Sequence, residues 1–100
     1  MKTYQLSQEA DNDFLDAYDY LDAHSQSAAA RWEKTMLHAF DHLASWPRSG
    51  HVREDLAPAP LRLWPVDQYL IIYDPDSEIL TVIAVLHGSR DISSVLKDRL

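Results

Sequence analysis

The side chains with the most chemical potential are His87 and Arg90, which follow the aliphatic run Ile79 to Leu86 in the stretch Val85-Leu86-His87-Gly88-Ser89-Arg90-Asp91. An imidazole can move a proton and a guanidinium can stabilise developing negative charge. His87 and Arg90, joined by Arg62 and the phenol of Tyr73, would therefore make a minimal acid–base site. Two other roles compete for the same stretch. As an anion cradle it is poor, because phosphate loops use several glycines before a helix N-terminus and here Gly88 stands alone. As a corner between strand and helix it is well composed. Gly88 permits a bend that a β-carbon would resist, Ser89 or Asp91 can cap a following helix, and Arg90 can pair with Asp91 or another nearby carboxylate.

Other candidate ligands are weaker. His38 and His42 stand one helical turn apart, but Ala39-Phe40-Asp41 between them lacks the glutamate of a His-Glu-x-x-His metal motif, so no metal is expected. Asp13, Asp16, Asp19 and Asp22 recur by threes, which reads most simply as a solvated helix face. The absence of cysteine excludes disulfides and thiolate chemistry.

The elements that must position these residues follow from pattern. Thr3 to Leu6 reads as a short strand. Ser7 then caps a helix whose apolar stripe is Ala10, Phe14, Ala17, Tyr18 and Leu21, with Glu9 and Asp11 in its first turn. His24-Ser25-Gln26-Ser27 breaks that pattern and starts a second helix with the stripe Ala29, Trp32, Met36, Ala39, Phe40 and Leu43, which Pro47 ends. So short a link predicts an antiparallel α-hairpin. After an irregular stretch to Pro60, strands are expected at Leu61–Trp64, Tyr69–Tyr73 and Ile79–Leu86, the last two joined by the turn residues Asp74 to Glu78. Ile92 to Leu100 is long enough for two helical turns with Val95, Leu96 and Leu100 on the apolar side. The expected class is α+β, with the hairpin packed on a small twisted antiparallel sheet.

Both alternating faces of the last strand are apolar, Leu80, Val82, Ala84 and Leu86 on one and Ile79, Thr81, Ile83 and Val85 on the other. One α-hairpin covers one face. The second face predicts a partner chain, the alternative being a sheet closed by its own tail. Trp64 reads as core or as a partner contact on that open face, and Tyr69, Ile71 and Tyr73 lie on the adjoining strand.

One hundred residues predict a single domain, 1–100. The first residues lack an apolar core and no stretch approaches the length of a membrane span, so a cytoplasmic protein without membrane contact is expected. The net charge of −7 argues against direct nucleic-acid binding. Acid is concentrated in residues 1–24 and 66–86. The cations Arg48, Arg53, Arg62, Arg90, Lys97 and Arg99 gather in the middle segment and the tail, where any anionic contact would fall.

Taken in order, these motifs have a familiar composition. Leu6-Ser7 with Ala10 and Asp13 resembles the opening Leu-Ser-x-x-Ala-x-x-Asp-Leu of the ParE branch of the RelE/ParE toxin superfamily, with Phe14 where leucine is usual. Leu43, Pro47, Gly50 and Arg53 resemble the family's Leu-x-x-x-Pro-x-x-Gly-x-x-Arg joint. Leu61, Arg62, Tyr69, Ile71 and Tyr73 resemble its central hairpin, and His87, Gly88, Arg90 and Asp91 its His-Gly-x-Arg-Asp end. The resemblance implies the toxin of a type II toxin–antitoxin system, bound in a hetero-oligomer by a ParD-like antitoxin, requiring no cofactor, and acting by inhibiting DNA gyrase rather than as an enzyme. It implies antitoxin contacts at Trp64, Tyr69, Ile71 and Tyr73, and target contacts at Arg62, His87, Arg90, Lys97 and Arg99. Two alternatives stay open. One is a RelE-like ribosome-dependent mRNA endonuclease built on His87, Arg90, Arg62 and Tyr73. The other is a degenerate, non-toxic copy that only binds antitoxin.

Overall fold

A computed structural model describes residues 3–100. The chain runs β1 (Tyr4–Leu6), α1 (Gln8–His24), α2 (Gln26–Ser45), a 3₁₀ turn (Pro47–Ser49), β2 (Arg62–Val66), β3 (Tyr69–Asp74), β4 (Leu80–His87) and α3 (Ile92–Arg99). Local chemistry sets the helix starts. The Ser7, Ser25 and Asp91 side chains accept from the backbone N–H of Ala10, Ala28 and Ser94, satisfying donors that a helix N-terminus leaves free. Pro47 opens the 3₁₀ turn directly after α2. Between β2 and β3, Asp67 takes a φ of 53°, a left-handed conformation that aspartate tolerates better than most residues.

The sheet order is β1-β4-β3-β2. β2, β3 and β4 pair antiparallel, as expected, but β1 pairs parallel with β4 through Tyr4↔Leu80 to Leu6↔Val82, so the sheet is mixed. The strict alternation expected along β4 also fails. Ile72 faces Ala84 while Tyr73 faces Val82, which leaves Ile83 as an extra residue in β4. Such a bulge reverses the alternation beyond it. Leu80, Val82 and Val85 consequently join the core under the hairpin, while Ala84 and Leu86 join the opposite one.

That opposite face is not left for another chain. Ala57 and Leu61 from the irregular segment, with Ile92 and Leu96 from α3, bury Leu63, Ile72, Ala84 and Leu86. The sheet is closed by its own tail and loop, which corrects the expectation of an open apolar face. α3 is correctly placed, although its buried side chains are Ile92 and Leu96, and Leu100 is exposed. The free edge of β2 is also blunted. Leu63 exchanges both backbone hydrogen bonds with His51, and Pro65 has no N–H to offer.

β1 ends opposite Val82, and the edge of β4 beyond it is completed by side chains. Ser7 Oγ and Arg99 Nη1 donate to the Ile83 carbonyl, while Asp13 Oδ2 accepts from Val85 N–H at 3.0 Å. Asp13 and Arg99 are themselves joined by two bonds of 2.7 and 2.8 Å. Their side chains are only 13% and 16% exposed, so Asp13 belongs to a part-buried ion pair and not to a solvated face. The Asp13 carboxylate, by bonding the guanidinium of Arg99, raises that group's pKa further above its already high ordinary value. The pair ties α1, the bulged strand and α3 into one joint.

Candidate interaction surface

The four residues of the minimal acid–base site lie at opposite ends of the sheet. Arg62 sits opposite Tyr73, whereas His87 sits opposite Tyr69. Tyr73 lies four positions along β3 from Tyr69, roughly 13 Å at the usual strand rise. Tyr73 is wholly buried. Its hydroxyl donates to the Pro47 carbonyl at 2.7 Å and accepts from Gly50 N–H at 2.9 Å. Burial raises its pKa above the ordinary phenol value. Arg62 Nη1 donates to the Gly50 carbonyl at 2.8 Å and, more weakly, to that of Arg48. Tyr73 and Arg62 thus clamp the turn after α2. They do not meet His87 and Arg90.

Glycine roles are redistributed as well. A β-carbon on Gly50 would come within 2.5 Å of Tyr73 Oη, whereas one on Gly88 would meet only the Gln68 carbonyl at an ordinary 3.5 Å. Gly88 has no positive φ, so the bend it occupies does not require glycine. Gly50 carries the steric requirement instead.

At the other end, His87 Nδ1 accepts from the backbone N–H of Ser89 at 3.1 Å, which leaves Nε2 to donate to Gln68 Oε1 at 3.3 Å. The Tyr69 ring packs edge-on against His87 and against Trp32, with centroids 5.3 and 5.2 Å away. Arg90 is exposed, and among the described residues no carboxylate lies within ion-pair distance of it. The anticipated pairing with Asp91 does not form, because hydrogen bonds from Ser94 and Ser93 hold Asp91 as the cap of α3 and lower its pKa.

The expected contact residues therefore separate. Ile71 and Tyr73 are fully buried and offer no surface to a partner. Trp64 and Tyr69 are half-buried on the hairpin side of the sheet, Trp64 stacking on His42, whose Nε2 also bonds Ser49 Oγ. Of the cations, Arg99 is taken up in the part-buried pair with Asp13 and Arg62 in the turn clamp, while Lys97 and Arg90 remain exposed. Among the described residues, no group of three or more His, Cys, Asp or Glu is placed to hold a metal ion. No described helix is long and apolar enough to cross a membrane.

Two clefts flank Tyr69. The larger, about 480 Å³, is lined by Leu21, Ala28, Arg31, Trp32, Thr35 and the hairpin residues Asp67 to Tyr69. The smaller, about 190 Å³, runs between Asp13, Asp16 and Ala17 of α1 and Val85, His87 and Arg90. Arg31 and Trp32 were not legible as surface residues, since Trp32 fits the core stripe; it is core, 7% exposed, and yet walls the cleft. Trp46, 66% exposed, is the largest apolar side chain left in solvent, and its place outside the stripe ending at Leu43 is the signal that marks it.

An α-hairpin packed on a mixed four-stranded sheet and closed behind by a short helix defines a small α+β fold. The same fold is found in a solved structure described as the chromosomal ParDE TA system from P. aeruginosa, with a TM-score of 0.70 over 87% of this chain and 96% of that chain, at 13% identity. Residues 4–92 match the family described as the ParE toxin of the type II toxin–antitoxin system parDE, and the chain belongs to that family. No curated protein matches it in sequence.

Proposed function

We propose that this ParE toxin is a single domain held inactive in the cytoplasm by a ParD-like antitoxin and that, once released, it inhibits DNA gyrase without cofactor, metal or bond-breaking chemistry of its own. The family match over residues 4–92 carries the reading. The scattering of His87, Arg90, Arg62 and Tyr73 supports a binding protein over a ribonuclease, since the Tyr73 hydroxyl is committed to Pro47 and Gly50. The net charge of −7 also favours a protein target over direct contact with nucleic acid. Antitoxin contacts fall along the hairpin side, with Trp64 and Tyr69 as half-buried anchors. Half-buried His87 with exposed Arg90, and Lys97, are the remaining candidates for the target.

Induced expression of the chain alone should arrest growth, co-expression of the antitoxin should restore it, and primer extension on cellular transcripts should show no new cuts. Normal growth without antitoxin, or cuts that vanish in His87→Ala, would overturn the reading.

A further inference from the structure

We infer that the clamped turn after α2, Trp46 to Gly50, is a preformed contact for the toxin's protein target: the Trp46 indole packs on an apolar side chain of that target, and Arg48 takes a carboxylate beside it. The inference rests on the gyrase reading above and names a surface and a chemistry for that contact.

Exposure marks the residue and rigidity marks the turn. Trp32 and Trp64 pack on Phe14 and His42, whereas Trp46 is left 66% exposed and shares an open hollow of about 280 Å³ with Pro47, Arg48 and Ser49. The backbone under it is fixed from several sides. The Trp46 N–H donates to the His42 carbonyl at 2.8 Å, and the Trp46 carbonyl accepts from Ser49 N–H at 3.0 Å. His42 Nε2 bonds Ser49 Oγ, the buried Tyr73 hydroxyl bridges Pro47 and Gly50, and Arg62 holds the Gly50 carbonyl. So many groups converging on one surface turn leave an indole standing in water, where it adds nothing to the core. A side chain presented on a fixed turn binds with little further ordering cost, and tryptophan and arginine are the types that dominate interface energetics. Arg48 supplies the charge complementarity. Its pair with Asp76 is exposed at both ends, 63% and 46%, so it contributes little and exchanges readily for a partner's carboxylate. Arg90 and Lys97 are equally available cations; the clamped tryptophan, not the cation, singles out this turn. A rigid knob fits a folded target, whereas a disordered segment moulds itself to grooves.

The test is a fluorescence-anisotropy titration of the labelled full chain with purified gyrase and, separately, with the ParD-like antitoxin. Circular dichroism first establishes that each variant is folded at the assay temperature. Trp46→Ala and Arg48→Glu should weaken gyrase binding at least about tenfold and about fivefold, while both keep antitoxin affinity within about twofold of the parent. Leu37→Ala, which removes an exposed apolar side chain elsewhere on α2, should bind gyrase as the parent does. Tyr73→Phe keeps the ring and deletes the clamp hydroxyl. Hydrogen exchange at Ser49 and Gly50 should quicken in it, and gyrase affinity should fall at least about threefold. Parent-like gyrase binding by both Trp46→Ala and Arg48→Glu, or a loss seen with antitoxin instead, would overturn this placement and leave the gyrase reading standing. Parent-like binding by Tyr73→Phe despite faster exchange would overturn the preformed presentation. Failure of the parent chain to bind gyrase would overturn that reading itself.

Discussion

Asp13→Ala should be among the most damaging single substitutions at a charged position. The carboxylate accepts two hydrogen bonds from Arg99 and one from the Val85 N–H. Its removal strands a guanidinium that is 16% exposed and a backbone donor at the edge of the bulged strand. Breaking a fully buried ion pair by removing one partner costs about 3–5 kcal/mol, because the survivor stays desolvated. The residual exposure here lets water reach Arg99, so the cost should fall near the lower end, about 3 kcal/mol. For a chain of this length that is a loss of roughly 15 °C in Tm. Urea unfolding at neutral pH measures it, with Asp16→Ala as the control. Asp16 is exposed on the same helix, and its removal should cost less than about 0.5 kcal/mol. Arg99→Met in the Asp13→Ala background should add little, since the stranded charge is then gone. Equal midpoints for Asp13→Ala and Asp16→Ala would refute the joint described here and return Asp13 to a solvated helix face.

Gly50→Ala should destabilise by about 2–4 kcal/mol in the same assay, through collision with the Tyr73 ring and loss of its hydroxyl bonds, whereas Gly88→Ala should stay within about 0.5 kcal/mol. Ser7→Ala and Ser25→Ala should each cost about 1 kcal/mol as lost caps. Burial raises the pKa of Tyr4, Tyr69 and Tyr73, so their contribution to stability is complete below the unfolded value near 10 and is lost as pH rises through their folded values. Absorbance at 295 nm should accordingly show those phenols ionising late and together with alkaline unfolding; five tyrosines titrating as free phenols near pH 10 would contradict it.

What was legible in the sequence is what local chemistry determines. The cap Ser7 acts on an N–H group three residues away, as does Ser25 within the expected break at His24 to Ser27, and the apolar stripes of both helices point where the core is. The parallel pairing of β1 with β4 was not legible, because it joins residues 76 positions apart, as in the hydrogen bond from Gln5 to Thr81. Asp13 follows the period of its exposed neighbours, and only the return of Arg99 to its side reveals a buried role. Gly50 and Gly88 look equivalent until Tyr73 arrives beside one of them. The second face of the sheet is covered by residues around Ala57 and Leu61, an irregular proline-containing segment that carries no period to read. The four acid–base candidates failed to converge for the same reason: strand register, which no single strand encodes, put Arg62 beside Tyr73 and His87 beside Tyr69.

The central claim, a toxin that disables gyrase by binding and is silenced by its antitoxin, is tested most directly in a DNA supercoiling assay with purified gyrase. Addition of the free chain should suppress supercoiling in a dose-dependent manner, and pre-incubation with stoichiometric antitoxin should restore it. Undiminished supercoiling at a large excess of folded toxin would contradict the account.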